Sequence, residues 1–489
     1  MLPNVRVTVN EEVLLNSDGL NTFLPLLILK TVTGPIGTEV LVKNYKQFIS
    51  TFGTPDSNTP EAFGVGEYIK NYGSVYVTRV AGSTAAYATG KISVGEVGSA
   101  VDLISFTSNY KTSELNGDEI DLVKDSTNNK IYLSYIKGST SITSIKETFV
   151  AGTSTADVLS VALQKLVDSF NAAQNYVTLT NLFVEKTEED PVPTLAADNK
   201  GSITGGSDGN SAVTSADVTA IAERYEESDL GIDALLAPGF EDSTTINKLA
   251  SIATKSSFIA IASLSGTTTT DIIAKTAGIV ENASLALYAG NVKLNADTTI
   301  SVPASIAVMP AYITKDTSSK WLAPAGVTRG TLPLVNILDP QLGDNDLEVL
   351  YSNDIPLNGI RKIAGTGYVV WGQKTSLQDN TEYQDRINVV RLIKYLTREV
   401  YKLSYDYLFE PITDYTYKSW TISVEAILKR IQAGNGLSAY KVIMDDTLNT
   451  EETKKKNMLI GVVRLKPLEA AEFIDINFVV TDSVEGGNE

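Results

Sequence analysis

Apolar and polar residues alternate along Val5-Arg6-Val7-Thr8-Val9, the period of a half-covered strand, and the turn cluster Asn16-Ser17-Asp18-Gly19 follows. Thr38 to Val42 predicts a second strand. Asn44 then stands where an N-cap belongs, Tyr45, Phe48, Ile49 and Phe52 fall at helical spacing, and Gly53 supplies the stop. A second helix from Glu61 to Asn71 ends at Gly73, and Val75 to Val80 is rich in β formers. Between about Gly82 and Lys200 the text becomes a Ser/Thr/Gly-rich alternation, seen in Ile131 to Ile136, with one amphipathic helix from Ala156 to Phe170. This predicts a mostly-β insertion.

From Gly201 helices and strands take turns: helix Ala216 to Glu226, strand Ala234 to Ala237, helix Thr245 to Thr254, strand Phe258 to Ala262, helix Asp271 to Asn282, strand Ser284 to Tyr288. Strands about 25 residues apart with helices between them predict βαβ crossovers and a parallel, doubly wound sheet. Beyond Trp321 the pattern gives a long helix near Asn380 to Tyr405 and another from Tyr417 to Ala433. Strands follow at Tyr440 to Met444, Leu459 to Lys466 and Phe473 to Val480, an α+β arrangement.

Composition narrows the chemistry. The 489 residues suit about three domains, and 43% hydrophobic against 20% charged residues is enough to build cores. The chain has no cysteine and no histidine. Disulfides, Cys/His zinc sites and every Ser-His-Asp or Cys-His catalytic arrangement are therefore excluded. A net charge of −18 argues against nucleic acid as a direct partner. The apolar runs Phe23 to Leu29 and Phe258 to Leu264 fall far short of a bilayer span, and Met1-Leu2-Pro3-Asn4 is expected to begin no signal peptide.

Gly205-Gly206-Ser207-Asp208-Gly209-Asn210 offers an anion nest in principle, but no lysine follows, and a structural turn fits better. Gly365-Thr366-Gly367 departs from a dinucleotide loop because Val370 takes the place of the third glycine, so a tight turn into a buried strand is expected. The acidic runs Asp339 to Asp346 and Glu185 to Asp190 lack a calcium-loop pattern and read as solvated loops. The long helix says more. Ile387, Val390, Ile393, Leu396, Val400 and Leu403 form an apolar stripe beside a basic one of Arg391, Lys394, Arg398 and Lys402. In so acidic a chain the basic stripe is either a contact for an acidic partner or an ordinary solvated face.

Several stretches together resemble the contractile tail sheath proteins of bacteriophages and related injection machines. They are Val42 to Gly53, Ile69 to Gly73, Val75-Tyr76-Val77-Thr78-Arg79-Val80, Gly205 to Gly209, Ala237-Pro238-Gly239 and Trp321 to Gly326. Leu357-Asn358-Gly359-Ile360-Arg361, Tyr368 to Thr375, Arg386 to Leu392 and Leu408-Phe409-Glu410-Pro411 complete the set. The segment from 82 to 200 carries no match. The resemblance implies a subunit polymerising as stacked hexameric rings around a tail tube, then contracting to drive that tube through the bacterial envelope for genome ejection. It further implies baseplate and tail terminator partners, a place in the virion, assembly in the host cytoplasm, and a subtilisin-like α/β unit that cannot hold a triad.

Pattern and resemblance together give an expected layout. Residues 1–20 form an N-terminal arm, 21–81 the first part of the core, 82–200 an outward-facing insertion and 201–320 the subtilisin-like unit. Residues 321–470 form the C-terminal sheath domain and 471–489 a C-terminal arm. Val5, Val7 and Val9, with Phe473, Ile474, Ile476 and Phe478, are candidates for strand exchange between subunits. Arg391, Lys394, Arg398 and Lys402 are the candidate tube-contact face. No cofactor, metal, catalytic residue or membrane insertion is expected. The alternatives are a sheath from a bacteriocin-like or secretion-type injection system, or a histidine-free α/β hydrolase or nucleotide-binding enzyme, for which no converging nucleophile and base stand out.

Overall fold

The computed structural model describes residues 23–472 apart from 96–99, 150–153, 227, 229, 314–319 and 379–382. The candidate arm residues Val5, Val7, Val9, Phe473, Ile474, Ile476 and Phe478 lie outside the described residues. The chain divides into two compact units. One comprises Met1–Lys315 and Pro324–Val390, the other Asp316–Ala323 and Arg391–Glu489.

A six-stranded sheet organises the first unit. Its spatial order is Leu285–Ala289, Ile259–Leu264, Ala234–Leu236, Pro25–Leu29, Val75–Arg79 and Glu39–Val42. Neighbours run parallel except the edge strand Glu39–Val42, which is antiparallel to Val75–Arg79. Successive side chains of Pro25–Leu29 serve opposite cores. Leu27 and Leu29 meet Phe48, Phe52, Val65 and Tyr68 of the helices Tyr45–Phe52 and Pro60–Tyr72 on one face. Leu26 and Ile28 join Val218, Ile221, Ile246 and Leu249 of the helices Ser215–Ala222 and Ser243–Lys255 on the other. Helices thus cover both faces, as a sheet of parallel strands requires.

This differs from the expected layout in an instructive way. Residues 201–320 do not hold the whole α/β unit, because three of its six strands come from residues 25–79. Pro25–Leu29 was not foreseen as a strand, since a strand buried on both faces shows no alternation. The helix expected from Asp271 to Asn282 covers only Thr269–Ala274. Turns follow it, and Gly278 adopts φ +83°.

The insertion is mostly β, as its alternation indicated. Tyr87–Val94, Val101–Lys111 and Val177–Asn181 form one sheet, and Asp198–Ser202, Glu119–Asp125, Lys130–Lys137 and Thr140–Thr148 another. The helix Ala156–Ala173 contributes Leu159, Leu163, Leu166 and Phe170 to a core made only of residues between Ala88 and Ile203. The expected C-terminal domain of 321–470 is divided between the units. The hairpin Gly359–Ile363 and Gly367–Trp371 belongs to the first, where Ile360 and Val370 share a core with Ile387 and Val390. The boundary therefore falls inside the helix Ile387–Ser404.

Candidate functional site

The second unit is built on two long helices and a hairpin. From Arg391 onward the helix Ile387–Ser404 supplies Leu392, Tyr395 and Leu396 to a core shared with Trp420, Val424, Leu428 and Ile431 of the helix Asp414–Ala433. Three polar groups at the edge of this core are paired. Trp420 Nε1 donates to Ser404 Oγ (3.0 Å), Trp321 Nε1 to the Gly434 carbonyl (2.9 Å) and Arg430 Nη2 to Tyr395 OH (2.7 Å). The strands Leu437–Ile443 and Val462–Pro467 pair antiparallel, and among the described residues no third strand joins them.

Among the described residues, both outer edges of this hairpin are without a strand neighbour. Beside Leu437–Ile443 lies a groove of about 560 Å³, lined by Lys418, Thr421 and Ile422 of the helix and by Lys441, Val442, Ile443 and Met444. Asp445 and Thr447 complete the lining, so the groove is mixed in polarity and carries two lysines against one aspartate. The groove escaped sequence reading because it joins residues about twenty apart that face each other only once the hairpin folds back.

The predicted basic stripe splits in the structure. Lys402 is exposed, whereas Arg391, Lys394 and Arg398 are half-buried. Arg391 Nη1 donates to the Leu322 carbonyl at 3.3 Å. Burial holds the Lys394 ammonium well below the usual lysine range, at about 8.

In the first unit, the stretches singled out in the sequence turn out to be joints. Asn358, fully buried, donates from Nδ2 to the carbonyls of Leu287 (3.0 Å) and Lys374 (2.7 Å) and accepts from the Lys374 amide (2.8 Å). It thereby fastens the hairpin segment to the central sheet. Gly365 and Gly367, at φ +79° and +97°, make the turn between the hairpin strands, so the glycine pair forms the expected tight turn.

Open α/β sheets commonly bind ligands where strand order reverses, beyond the carboxyl ends of the strands. Here that place is filled from within. The buried Glu61 carboxyl lies against Gly239, where an added Cβ would stand 2.1 Å from Glu61 Oε1. Burial pushes its pKa up. Nearby Glu241 accepts from the Ser265 amide and hydroxyl (3.0 and 2.9 Å) and from Lys275 Nζ (2.5 Å), so its acceptors are engaged by the protein itself. Among the described residues no group of three or more carboxylates is placed to hold a metal ion, and no helix is long and apolar enough to cross a membrane.

No protein-family model matches the chain. Against curated proteins it is 32% identical over 184 residues to the tail sheath protein of Vibrio phage KVP40, covering 38% of this chain and 27% of that protein. It is 30% identical over 168 residues to the tail sheath protein of Enterobacteria phage T4, covering 34% and 25%. The matches thus span about a quarter of those relatives' length. Among solved structures, the sheath tail protein from Desulfitobacterium hafniense aligns with TM-score 0.60 at 10% identity, over 91% of this chain and 96% of that one. The sheath of the extracellular contractile injection system PVC, in its contracted state, aligns with TM-score 0.56 at 15% identity, over 99% and 98%. These likenesses are of fold, and they run nearly end to end. Both curated relatives are tail sheath proteins. In sequence and in mixed α/β multi-sheet fold the chain is similar to phage tail sheath proteins, as its motifs indicated.

Proposed function

We propose that the chain is a structural subunit of a contractile phage tail sheath, polymerising as stacked hexameric rings around a tail tube and contracting to drive the tube through the bacterial envelope. The observation that carries this reading is the two-stranded hairpin Leu437–Ile443 and Val462–Pro467, whose outer edges have no strand neighbour among the described residues, and its adjoining groove. Arm strands from other copies, Val5 to Val9 and Phe473 to Val480, complete that sheet by β-augmentation. The groove's Lys418 and Lys441 complement Asp475 of such an arm. An arm forming about five backbone hydrogen bonds at ~0.5–1.5 kcal/mol each contributes on the order of 3–7 kcal/mol before ordering costs. Links of this size, repeated through a lattice, keep subunits connected while their bodies move.

No nucleotide motif supplies energy, so contraction is the release of a kinetically held assembly. The tail tube meets the basic helix residues Arg391, Lys394, Arg398 and Lys402, and baseplate and terminator proteins engage the polymer's ends. The subunit is a virion component assembled in the host cytoplasm, and its α/β unit is subtilisin-like in topology only. The near end-to-end fold likeness to the PVC sheath supports a second reading within the same class, the sheath of a phage-derived injection system.

Electron microscopy of the full chain at high concentration tests the proposal. Tubes or stacked rings that vanish when residues 473–489 are removed support it. Persistent tubes without that segment overturn the strand-exchange assignment, and a monodisperse monomer under all conditions overturns the sheath reading. Reversing Arg391, Lys394 and Arg398 to Glu tests the tube face: assembly on the tube with unchanged salt sensitivity refutes it.

A further inference from the structure

The 82–200 insertion has its own core and shares no buried cluster with the central sheet. It meets the body of the first unit through a bond from Thr112 Oγ1 to the Val32 carbonyl (2.9 Å) and, beside it, at a neck. The outgoing and returning segments pair there through Ala86 N to Ser207 O (2.9 Å), Ser207 N to Ala86 O (3.0 Å), Thr89 N to Thr204 O (2.8 Å) and Thr204 N to Thr89 O (2.9 Å). The Gly82 amide donates to the Gly209 carbonyl at 3.2 Å, so the chain leaves and re-enters at one point. Gly209 is left-handed at φ +72°, where a Cβ would lie 2.7 Å from Ala85 Cβ. A third segment braces this neck: the Thr112 amide donates to the Ala86 carbonyl (3.2 Å), Asn116 Nδ2 donates to the Gly206 carbonyl (2.8 Å), and the Gly206 amide donates to Asn116 Oδ1 (2.9 Å).

Arg79, the last residue of Val75–Arg79, sits immediately before this neck and is fully buried. Its Nη1 donates to the Gly34 carbonyl and its Nη2 to the Asp208 carbonyl, each at 3.0 Å. Burial pulls the guanidinium down to about 10, and the Asp208 carboxylate acts in the opposite direction. Asp208 is itself tied in, accepting from Ser113 Oγ at Oδ2 (3.1 Å) and from the Asn210 amide at Oδ1 (2.9 Å). Three separate pieces of chain, the sheet strand, the Gly34 turn and the returning segment, therefore converge on one charged fork. A buried cation is costly unless its donors are used; the buried Nε has no hydrogen-bond partner, so the two Nη bonds carry the compensation. The planar guanidinium reaches two carbonyls at a fixed angle, which a lysine cannot do.

We propose that Arg79 is the positioning residue of this junction. Its guanidinium clamps the returning segment at Asp208 to the Gly34 turn and so sets the direction in which the insertion leaves the sheet. The Thr112–Val32 bond holds the insertion at a second point, and the two charge-assisted bonds of Arg79 fix the returning segment.

Hydrogen–deuterium exchange of the full chain at subpolymerising concentration tests this with Arg79→Met, Arg79→Lys and the core control Val77→Ala. Val77 is buried in the same strand but makes no contribution to the neck. In Arg79→Met the amides of 82–89 and 204–210 are expected to exchange at least about ten-fold faster while those of Pro25–Leu29 and Ile259–Leu264 hold their protection. Arg79→Lys, which keeps the charge and loses the fork, should show the same selectivity in weaker form, and it alone decides if Arg79→Met fails to fold. Val77→Ala should loosen the central strands first. Neck exchange equal to the parent, or a pattern matching Val77→Ala, overturns the assignment.

Discussion

Lys394 offers a test in which folding and function pull apart. In the folded chain its ammonium releases a proton near 8, against 10.5 for an ordinary lysine, because burial disfavours the charged form. At ~1.4 kcal/mol per tenfold, that difference is worth roughly 3 kcal/mol. The side chain keeps some solvent contact, and screening reduces the figure to about 1–2 kcal/mol. Between about 8 and 10.5 the unfolded state binds more protons than the folded one, so stability rises with pH across that window and the penalty is fully present below it. Lys394→Met removes the charge, keeps the length of the stem and lacks the penalty. Urea unfolding of the dilute chain near pH 7 should show the variant more stable by about 1–2 kcal/mol, and the advantage should close as pH approaches about 10. A variant less stable than the parent, or an offset constant with pH, refutes the desolvation argument. If the charge serves the proposed tube face, the same variant unfolds later yet assembles less on tubes. Unimpaired assembly removes Lys394 from that face.

Three further outcomes follow from the geometry. Asn358→Ala strips the amide from the Leu287 and Lys374 carbonyls and should cost about 2–4 kcal/mol in urea unfolding. Gly206→Ala would place a Cβ 2.0 Å from the Thr112 carbonyl, and a loss of about 1–3 kcal/mol should appear with faster proteolysis near residues 204–210. Tyr135→Phe removes a buried donor 2.5 Å from Asp118 Oδ2, for an expected loss of about 1–3 kcal/mol in thermal unfolding. In the parent, burial and Asp118 raise the Tyr135 pKa, so an ultraviolet titration should find this phenol among the last to ionise.

Local signals were legible wherever one residue type serves one local geometry. Asn44 was predicted as an N-cap, and its side chain accepts from the Gln47 amide at 2.9 Å. Gly53 and Gly73 end the helices they were expected to end. The hairpin strands near Tyr440 and Leu465 were placed to within a few residues. What escaped depends on distant partners. Pro25–Leu29 shows no alternation because both its faces are covered, and that follows only from its position between Ala234–Leu236 and Val75–Arg79. The basic stripe was visible at Arg391, Lys394, Arg398 and Lys402, but its burial was not, since spacing along a helix does not say what lies over it. Arg79 stood inside a quoted motif, yet its bonds reach residues 45 and 129 positions away.

The bond between Gly82 and Gly209 also has a consequence for what the fold will accept. Chain ends already in contact make the cost of closing the excursion nearly independent of its length, since doubling a loop adds only about 0.6 kcal/mol. The site behaves as a socket. A smaller domain, a larger one or a foreign reporter whose termini lie side by side can be spliced beyond the Thr89–Thr204 pair, which leaves Asp208 in place for Arg79 and the central sheet in its register. The insertion can thereby change in length and content while the sheet keeps its strands in register.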